Sequence, residues 1–416
     1  MARVPERLPP LLARIEAFIE SELLPLQERH PQFFDHRREF ARTDLERGGV
    51  PAREWEELLV EMMRRADAAG LYRFALPGEL GGADGTNLEM AHIREHLAAR
   101  PLGLHSDLQT ESACVGNFPI VLVLHALGSA EQRELIEPLI RHEIVCAFGL
   151  TEPGHGSDAT WLQTTARRDG SDWVIDGVKR FNTGMHAADY DIVFARTRGE
   201  PGQAEGITAF LVPTQAPGLE VLFHHWTLNM PSDHAEVALR GVRVPASAII
   251  GEEGRGLAAA MLFVHENRIR QAASSLGAAQ FCVDRSVQYA RERVVFGRPL
   301  ASNQAIQWPL VELHTECALL RGLIADTAER MDEHGGSAVS AEISMCNYRA
   351  NRLACEAADR AIQVHGGMGY TRALPFEHIY RHHRRYRITE GSEEIQMRNV
   401  ARALFGFGGH RGSGAR

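Results

Sequence analysis

The fold class of this chain depends on the stretch Asp172-Trp173-Val174-Ile175-Asp176-Gly177-Val178. Its apolar, β-branched and aromatic residues favour strands, and an Asp-Gly pair between two such runs is a frequent two-residue hairpin turn. We therefore predict a strand, a tight turn at Asp176-Gly177 and a returning strand. Four more short runs of this kind follow, at 191–196, 207–212, 219–223 and 235–244. Together they predict a small antiparallel barrel or sandwich.

On both sides of this β-rich region, apolar residues recur every three or four positions, which is the helical period. The helical stripes run through 11–19, 55–62, 120–127, 269–294, 306–324 and 343–361. Long helices with short connections predict an antiparallel bundle after the β region. The predicted division is a helical domain at 1–145, a β domain at 146–254, a helical bundle at 255–408 and a disordered tail at 409–416.

The composition excludes several functional classes. Hydrophobic residues make up 44% of the 416 residues and charged residues 24%, the balance of a globular protein. The formal net charge of −9 repels a phosphate backbone, so nucleic acid is not an expected partner. The six cysteines have no paired spacing, and no group of ligands indicates a metal site.

The N-terminal segment has an apolar stripe that is interrupted by Glu16, Glu20 and Glu22. Transit peptides avoid acidic residues, and a signal peptide needs an unbroken apolar run, so neither fits. No stretch is long and apolar enough to cross a bilayer. We therefore expect a cytoplasmic protein.

Four motifs carry the chemistry: LTEPGHGSD at 150–158, RVVFGRPLASNQ at 293–304, QVHGGMGY at 363–370 and ITEGSEEIQ at 388–396. The first is a turn-rich loop whose backbone can approach a ligand closely, with hydroxyls at Thr151 and Ser157. Taken alone, it could also be an ordinary loop between strands. The last places the carboxylate of Glu390 on a loop before a helix that begins at Glu393. Taken alone, that carboxylate could also cap the helix.

In their order and separation, these motifs resemble those of the acyl-CoA dehydrogenase family along nearly the whole chain. The resemblance implies an α+β, mainly α fold with an N-terminal helical domain, a middle antiparallel β-barrel domain and a C-terminal four-helix bundle. It implies an FAD-dependent α,β-dehydrogenation of an acyl-CoA thioester to a 2-enoyl-CoA, as in fatty acid metabolism. It also implies a homo-oligomer, a dimer or a tetramer, and an electron-transferring flavoprotein as the electron acceptor.

The resemblance places the catalytic base at Glu390 and the hydride acceptor at flavin N5. The α proton of a thioester is weakly acidic, so its removal needs a positioned carboxylate. Loss of hydride from the β carbon needs an electron sink, which flavin provides and no side chain does. By the same resemblance, the thioester oxygen lies between the backbone N–H of Glu390 and a ribityl hydroxyl of the flavin, a small oxyanion hole.

The resemblance also implies a set of FAD contacts: Phe148, Leu150, Thr151, Gly156, Ser157, Phe181, Asn182, Thr183, Arg293, Phe296, Gln304, Gln363, Gly366, Gly367, Ser392 and Glu394. Phe181 stands where Trp is usual in the family, and Asn182 where an aliphatic residue is usual. Taken alone, Arg293 is a cation at the end of a helix. In the family it binds the FAD pyrophosphate of a neighbouring subunit, where guanidinium suits phosphate oxygens.

The implied substrate contacts are Ser157, His265, Arg268, Gly391 and Arg402. Family members usually carry Asp at the position of His265. Some relatives place their base one residue before Arg268, but Asn267 in this chain is not a base.

Other interpretations stay open. A flavin monooxygenase or an acyl-CoA oxidase would keep the same fold, although the hydroxylases generally lack a Glu at position 390. A catalytically inactive flavin-binding or scaffold protein is the alternative of another class. The run of histidines and arginines at 378–385 is expected to be a solvated or interface-lining helix face rather than a metal site. The acyl group and the choice between CoA and an acyl-carrier protein are not determined by the sequence.

Overall fold

A computed structural model describes residues 4–107 and 112–406, so the predicted tail at 409–416 lies outside the described residues. Helices make up 53% of the structure and strands 17%, which confirms the mainly helical class. The structure divides into two compact units. Of the described residues, the helical unit contains those within Met1–Ser21, Gly85–Leu108 and His265–Arg416, and the β unit contains those within Glu22–Asp84 and Gln109–Val264. The domain boundaries expected from the sequence, after 145 and 254, stay a prediction.

The helices are, in chain order, α1 (Leu8–Phe18), α2 (Leu24–Glu28), α3 (Arg38–Arg42), α4 (Arg53–Ala68), α5 (Asn87–Ala98), α6 (Pro119–Leu127), α7 (Ala130–Arg133), α8 (Ile136–Ile140), α9 (Gly256–Glu292), α10 (Gln304–His334), α11 (Ser340–His365), α12 (Phe376–Tyr386) and α13 (Glu393–Phe405). From His265 onward, α9 belongs to the helical unit.

One apolar core lies inside the helical unit, and the predicted stripes supply it. Leu276 on α9, Cys317 on α10 and Leu353 on α11 are buried members of this core. The stripe predicted at 269–294 is too long, because α9 ends at Glu292 and Val294 is an exposed residue of a short strand. The periodicity therefore located the helices and their buried faces but not this helix end.

The strands are β1 (Thr43–Asp44), β2 (Val50–Pro51), β3 (Cys146–Gly149), β4 (Thr165–Asp169), β5 (Asp172–Thr183), β6 (Tyr190–Arg196), β7 (Ile207–Pro213), β8 (Leu219–His224), β9 (His234–Pro245), β10 (Ile249–Ile250), β11 (Val294–Val295) and β12 (Arg298–Pro299). The four runs predicted after the opening stretch correspond to β6, β7, β8 and β9, with ends that differ by one residue.

The main sheet of the β unit has the strand order β10-β7-β6-β4-β5-β9-β8, with β3 paired to β6. Most of these pairs are antiparallel, as predicted, but β3 and β4 both run parallel to β6. In the part of the chain that the structure describes, the pairings follow an open path from β10 to β8. The long strand β5 pairs with both β4 and β9, which places it near the middle of the sheet.

The hairpin predicted at Asp176-Gly177 is wrong, because β5 continues through both residues. In the pairing with β9, a bulge between Ile175 and Gly177 leaves Asp176 without a partner position, and Asp176 Oδ1 accepts a hydrogen bond of 2.7 Å from the Gly241 N–H. A Cβ atom at position 177 would lie 2.3 Å from Thr164 Oγ1, so close packing requires the glycine. The turn before β5 is at Gly170-Ser171 instead, where Gly170 has a φ of +66°.

The interpretation of the histidine-rich run as a solvated or interface-lining face is also wrong for its three histidines. The run lies on α12, and His378, His382 and His383 are all buried.

Among residues 4–107 and 112–406, no three metal-ligating side chains come together. Within the same ranges, no helix combines the length and the hydropathy that a membrane span needs.

Candidate active site

Glu390 lies on the short loop between α12 and α13 in a left-handed backbone conformation with a φ of +55°. Gly391 follows with a φ of +88°. Residues other than glycine seldom adopt positive φ, and such strained positions are concentrated at functional sites. Helix α13 begins at Glu393 as predicted. The loop therefore presents the half-buried Glu390 in a defined backbone geometry.

Two side chains hold the backbone carbonyl of Glu390. Arg268 donates to this oxygen twice, from Nε over 2.9 Å and from Nη2 over 2.7 Å. Gln396 Nε2 donates to the same oxygen over 3.0 Å and to the Gly391 carbonyl over 3.0 Å. Both donors are buried. A planar guanidinium that donates twice fixes the direction of the peptide as well as its position.

Gly391 is required by the same contacts. A Cβ atom at position 391 would lie 3.1 Å from Arg268 Nη2 and 3.4 Å from Gln396 Nε2, on a backbone that favours glycine. Burial lowers the pKa of Arg268, and the negative charge of Glu390 acts in the opposite direction. The two charges therefore interact in addition to the backbone bonds.

The sequence interpretation missed two anchors of this loop. Gln396 is the buried residue of α13, and a lone amide at an inward helical position is the signal that could have identified it. Glu393 accepts hydrogen bonds from Arg387 and Arg352 at distances of 2.8 to 3.0 Å. These bonds, those of Arg387 first, lower the pKa of Glu393 to about 2. The start of α13 is therefore held by charge as well.

The substrate contacts predicted in the helical unit do not all lie next to Glu390. Arg268 points two of its donors at the Glu390 backbone rather than outward. His265 Nε2 lies 3.2 Å from Ser340 Oγ at the start of α11, and its pKa is lowered first by burial and then by the charge of Arg268. Arg402 is exposed in the last turn of α13. Of this set, the structure brings Arg268 and Gly391 against Glu390.

In the β unit, the 150–158 loop is fastened to β5 by a buried ion pair. Lys179, the only lysine of the chain, donates from Nζ to Glu152 Oε1 over 2.8 Å and to the Leu150 carbonyl over 3.2 Å. The backbone N–H groups of Gln163 and Thr164 donate to the same carboxylate. Burial alone would raise the pKa of Glu152, but the charge of Lys179 and these bonds lower it.

The outer side of this loop stays open. Ser157 is exposed, Thr151 is half-buried, and a Cβ atom at Gly156 would approach only the Thr151 methyl group, at 3.8 Å. Phe148 and Leu150 before the loop are half-buried. The sequence interpretation did not identify Glu152 and Lys179 as the anchor. The available signal was the single lysine of the chain, which follows the apolar Val178 in a predicted strand.

A bulge near the end of β5 presents Phe181. This residue drops out of the pairing with β9, has a φ of +64° and is 48% exposed. Its ring centroid lies 4.9 Å from that of His225. Thr183 is exposed beside it, with its hydroxyl 3.0 Å from His234 Nδ1. An exposed aromatic ring and a neighbouring hydroxyl thus lie on the same bulged strand end.

Asn182 departs from its predicted role. Its side chain is fully buried, and Nδ2 donates to Asp191 Oδ2 over 2.5 Å. A Cβ atom at Gly149 would lie 2.6 Å from this nitrogen, so the pair requires a glycine opposite. Because the Asn182 side chain is buried and bonded to Asp191, only the backbone of Asn182 is left for the predicted contact with the flavin. Burial raises the pKa of Asp191 to about 7, against the opposing effects of the Asn182 hydrogen bond and of the Lys179 charge.

Three of the other predicted cofactor contacts lie around one hairpin of the helical unit. Phe296 and Gly297 form the two-residue turn between β11 and β12, with φ values of +50° and +77°. The Phe296 side chain is fully exposed, and Arg293 and Gln304 on either side of the hairpin are exposed too. The aromatic ring is therefore offered to a binding partner rather than used in packing.

The remaining cofactor contacts lie at two helix ends. Helix α11 ends at His365, and Gly366 follows with a φ of +60°. A Cβ atom at Gly366 or Gly367 would meet nothing within 4 Å, and Gln363 is exposed on the last turn of the helix. Ser392 precedes α13, and Glu394 is exposed in its first turn.

Comparisons with known proteins identify the family. Models of the N-terminal, middle and C-terminal domains of acyl-CoA dehydrogenases match residues 27–143, 147–242 and 254–405. The chain belongs to the acyl-CoA dehydrogenase family. A 3-(aryl)acrylate reductase of Clostridium sporogenes is 34% identical over 91% of this chain and 98% of its own length. An acyl-CoA dehydrogenase of Bacillus subtilis is 32% identical over 89% of this chain and 96% of its own.

A solved structure extends the similarity to the fold. The glutaryl-CoA dehydrogenase of Mycobacterium smegmatis in complex with FADH2 matches with a TM-score of 0.78 at 26% identity. The match covers 98% of this chain and 97% of the other. Members of the acyl-CoA dehydrogenase family are oxidoreductases that bind FAD, and the chain is an enzyme of this kind.

The residues present fit the cofactor. The exposed ring of Phe181 and the hydroxyl of Thr183 offer the stacking and hydrogen-bonding surface that an isoalloxazine needs. The exposed guanidinium of Arg293 suits a pyrophosphate, and the open backbone at Gly366 and Gly367 leaves room for a close approach.

We predict that Asp191→Asn changes how the stability of the protein depends on pH. The folded chain keeps the Asp191 proton up to about pH 7, whereas the unfolded chain releases it near 3.8. Because the folded state binds the extra proton in this window, this group lowers the free energy of unfolding as the pH rises through it. The variant has no carboxyl to titrate there. Its stability relative to wild type should therefore rise by on the order of a few kcal/mol between about pH 4 and 7.

Urea unfolding of both proteins with saturating FAD, between about pH 5 and 8, measures this difference. Asp189→Asn removes an exposed carboxylate two residues away and controls for the change in net charge. A difference between wild type and Asp191→Asn that does not vary with pH would contradict a buried, neutral Asp191.

Proposed function

We propose that this enzyme dehydrogenates an acyl-CoA thioester across its α and β carbons and that Glu390 is the base. The observation that carries the proposal is the fixed backbone of Glu390, whose carbonyl accepts three hydrogen bonds from Arg268 and Gln396. A general base must lie within hydrogen-bond reach of its proton, so a carboxylate on a rigidly held loop is suited to the task.

In this proposal the chain itself binds, orients and deprotonates. Arg268 and Gln396, together called the clamp, hold the backbone of Glu390 and so set the direction in which its carboxylate leaves the loop. The carboxylate accepts the α proton. When bound, FAD supplies the acceptor for the hydride that the β carbon loses. Arg268, which the sequence assigned to the substrate, is proposed instead to position the base, because its guanidinium is committed to the Glu390 backbone.

The other site residues stay proposals that their placement supports. We propose FAD contacts through the exposed or half-buried positions described above: Phe148, Leu150, Thr151, Gly156, Ser157, Phe181, Thr183, Arg293, Phe296, Gln304, Gln363, Gly366, Gly367, Ser392 and Glu394. Ser157, His265, Gly391 and Arg402 are the proposed substrate contacts.

The reverse reaction is the second candidate, and one observation favours it. The Clostridium sporogenes relative, which matches 91% of this chain, is named as a reductase of an acrylate. A carboxylate that removes an α proton in one direction delivers it in the other, so Glu390 serves both directions. The direction then depends on the electron donor or acceptor that the cell supplies.

We predict that Glu390→Gln abolishes flavin bleaching by acyl-CoA while FAD stays bound. The amide keeps the shape of the carboxylate but does not accept the proton, and loss of a general base costs about 10²- to 10⁴-fold in rate. Anaerobic titration of the yellow holoenzyme with a panel of acyl-CoA thioesters, followed by flavin absorbance, measures the effect and identifies the preferred acyl group.

Glu356→Gln, an exposed carboxylate on α11, is the matched control and should bleach like wild type. Bleaching that survives in Glu390→Gln would show that the base is another group. Addition of an electron-transferring flavoprotein to the substrate-reduced enzyme, compared with addition of oxygen, separates a dehydrogenase from an oxidase. A wild type that no thioester bleaches, tested also in the reductive direction with enoyl thioesters, would overturn the proposal.

We also propose that the enzyme is a homo-oligomer. Trp308, Val311 and Leu319 lie on one side of α10 and are 63%, 58% and 66% exposed. A row of large apolar side chains along one helix face is typical of an interface. A second copy of this chain is the proposed partner, since Phe296 and Arg293 of one copy would then be available to the cofactor of another.

We predict that Leu319→Glu shifts the sedimentation of the holoenzyme from a dimer or tetramer towards the monomer. The introduced carboxylate would be buried without a partner in the interface, which is costly. Leu45→Glu, an exposed leucine outside this row, is the control and should leave the mass unchanged. A wild type that is monomeric at micromolar concentration would contradict the interface.

A further inference from the structure

A row of buried polar side chains runs through the apolar core of the helical unit and ends at Arg268. It consists of His383 on α12, Ser275 on α9, and Asn351 and Asn347 on α11, each at most 1% exposed. Buried polar groups lower stability unless every one of them is paired, so an uninterrupted row in an Ala- and Leu-rich core needs a reason.

The hydrogen bonds of this row have a fixed direction. Asn347 Nδ2 donates to the backbone carbonyl of Arg268 over 3.0 Å, which turns its Oδ1 towards Asn351. Asn351 Nδ2 donates to that oxygen over 3.2 Å and to the Tyr386 carbonyl over 3.0 Å. Because both of these partners are acceptors, the orientation of the Asn351 amide is not interchangeable. Its Oδ1 therefore faces Ser275, whose hydroxyl donates to it over 2.7 Å.

His383, at the end of the row far from Arg268, also donates in this direction. The single proton of the Ser275 hydroxyl is used on Asn351, so His383 Nδ1, 2.9 Å from Ser275 Oγ, must carry a proton and donate it. Burial lowers the pKa of His383 to about 3, which leaves the ring neutral with one proton to place. The bonds that join the members of the row thus all run from His383 towards Arg268, and Asn351 donates in addition to the Tyr386 carbonyl.

The row ends on the groups that determine the position of Glu390. On one branch, Asn347 holds the backbone of Arg268, whose guanidinium donates twice to the Glu390 carbonyl. On the other branch, Asn351 holds the carbonyl of Tyr386, the last residue of α12 and four residues before Glu390. A loss of alignment in the row therefore reaches the Glu390 loop from both sides.

We propose that His383, Ser275, Asn351 and Asn347 are positioning residues that hold Glu390 in its reactive geometry from within the helical core. They act through Arg268 and Tyr386 and touch neither substrate nor cofactor. The inference rests on the proposed role of Glu390, and it assigns to the buried end of α12 a part in the reaction.

The test compares two serines on the same helix. Ser275→Ala removes the hydroxyl that joins His383 to Asn351. Ser286→Ala removes an equally buried hydroxyl on α9 that donates to the Cys282 carbonyl and lies outside the row. Both substitutions delete one buried hydroxyl from α9. Ser275→Ala also leaves His383 Nδ1 and Asn351 Oδ1 without this partner, so it should lower the thermal midpoint of the holoenzyme more than Ser286→Ala does. They should differ in the readouts that report the Glu390 loop.

Two readouts separate positioning from structure. We expect the rate of flavin reduction at saturating acyl-CoA to fall about tenfold in Ser275→Ala, with little change in the thioester concentration at half saturation, as is typical of a misplaced reactive group. Ser286→Ala should keep the wild-type rate. In hydrogen exchange of the holoenzyme without substrate, the backbone amides of 388–392 should lose protection in Ser275→Ala and not in Ser286→Ala.

Equal rates and equal exchange in the two variants would overturn the proposal. If Ser275→Ala does not fold, Ser275→Cys, which keeps a weak donor of similar size, should give an intermediate rate, and a wild-type rate there would also overturn it. If no thioester reduces wild-type enzyme, the proposed function fails, whereas the exchange comparison still decides whether the row holds the Glu390 loop.

Discussion

The candidate active site depends on one interaction, the bonds that fix the peptide between Glu390 and Gly391. A carboxylate on a loop has many rotamers and a mobile backbone, and neither gives a base a fixed position. Arg268 and Gln396 remove the backbone part of this freedom with three bonds to one carbonyl, and the positive φ of Glu390 is the strain that these bonds maintain. The backbone of the loop is therefore held by contacts within the chain itself.

The β unit uses the same arrangement of a buried polar anchor under an open surface. Lys179 on β5 and Glu152 in the 150–158 loop form a buried ion pair, which fastens the loop to the sheet while the outer side of the loop stays accessible. The bulge at Phe181 turns an aromatic ring outward next to the buried Asn182–Asp191 pair. In both units, the groups that we propose to face a ligand are positioned by buried charged or amide side chains.

The sequence predicted the parts of this structure that local pattern controls. Helical periodicity located the long helices and their buried faces, and the motif order identified the family. The role that the resemblance assigns to Glu390 stays a prediction. The sequence interpretation was wrong where contacts with residues distant in the chain determine the local structure or burial. Asp176-Gly177 has the composition of a hairpin, but packing against Thr164 and pairing with β9 make it a bulge. His383 looked solvated within a basic run, because burial of a polar residue depends on partners from other helices.

The most direct test of the clamp is the kinetics of Arg268→Lys in the FAD-loaded enzyme. Lysine keeps the charge but cannot donate twice from a planar group. We therefore predict that flavin reduction at saturating thioester is about ten- to a hundredfold slower, while the thioester concentration at half saturation stays near that of wild type. Arg270→Lys, a buried arginine two residues along the same helix, is the control. A half-saturation concentration that rises while the maximal rate is unchanged would show that Arg268 binds the substrate, and would contradict the account.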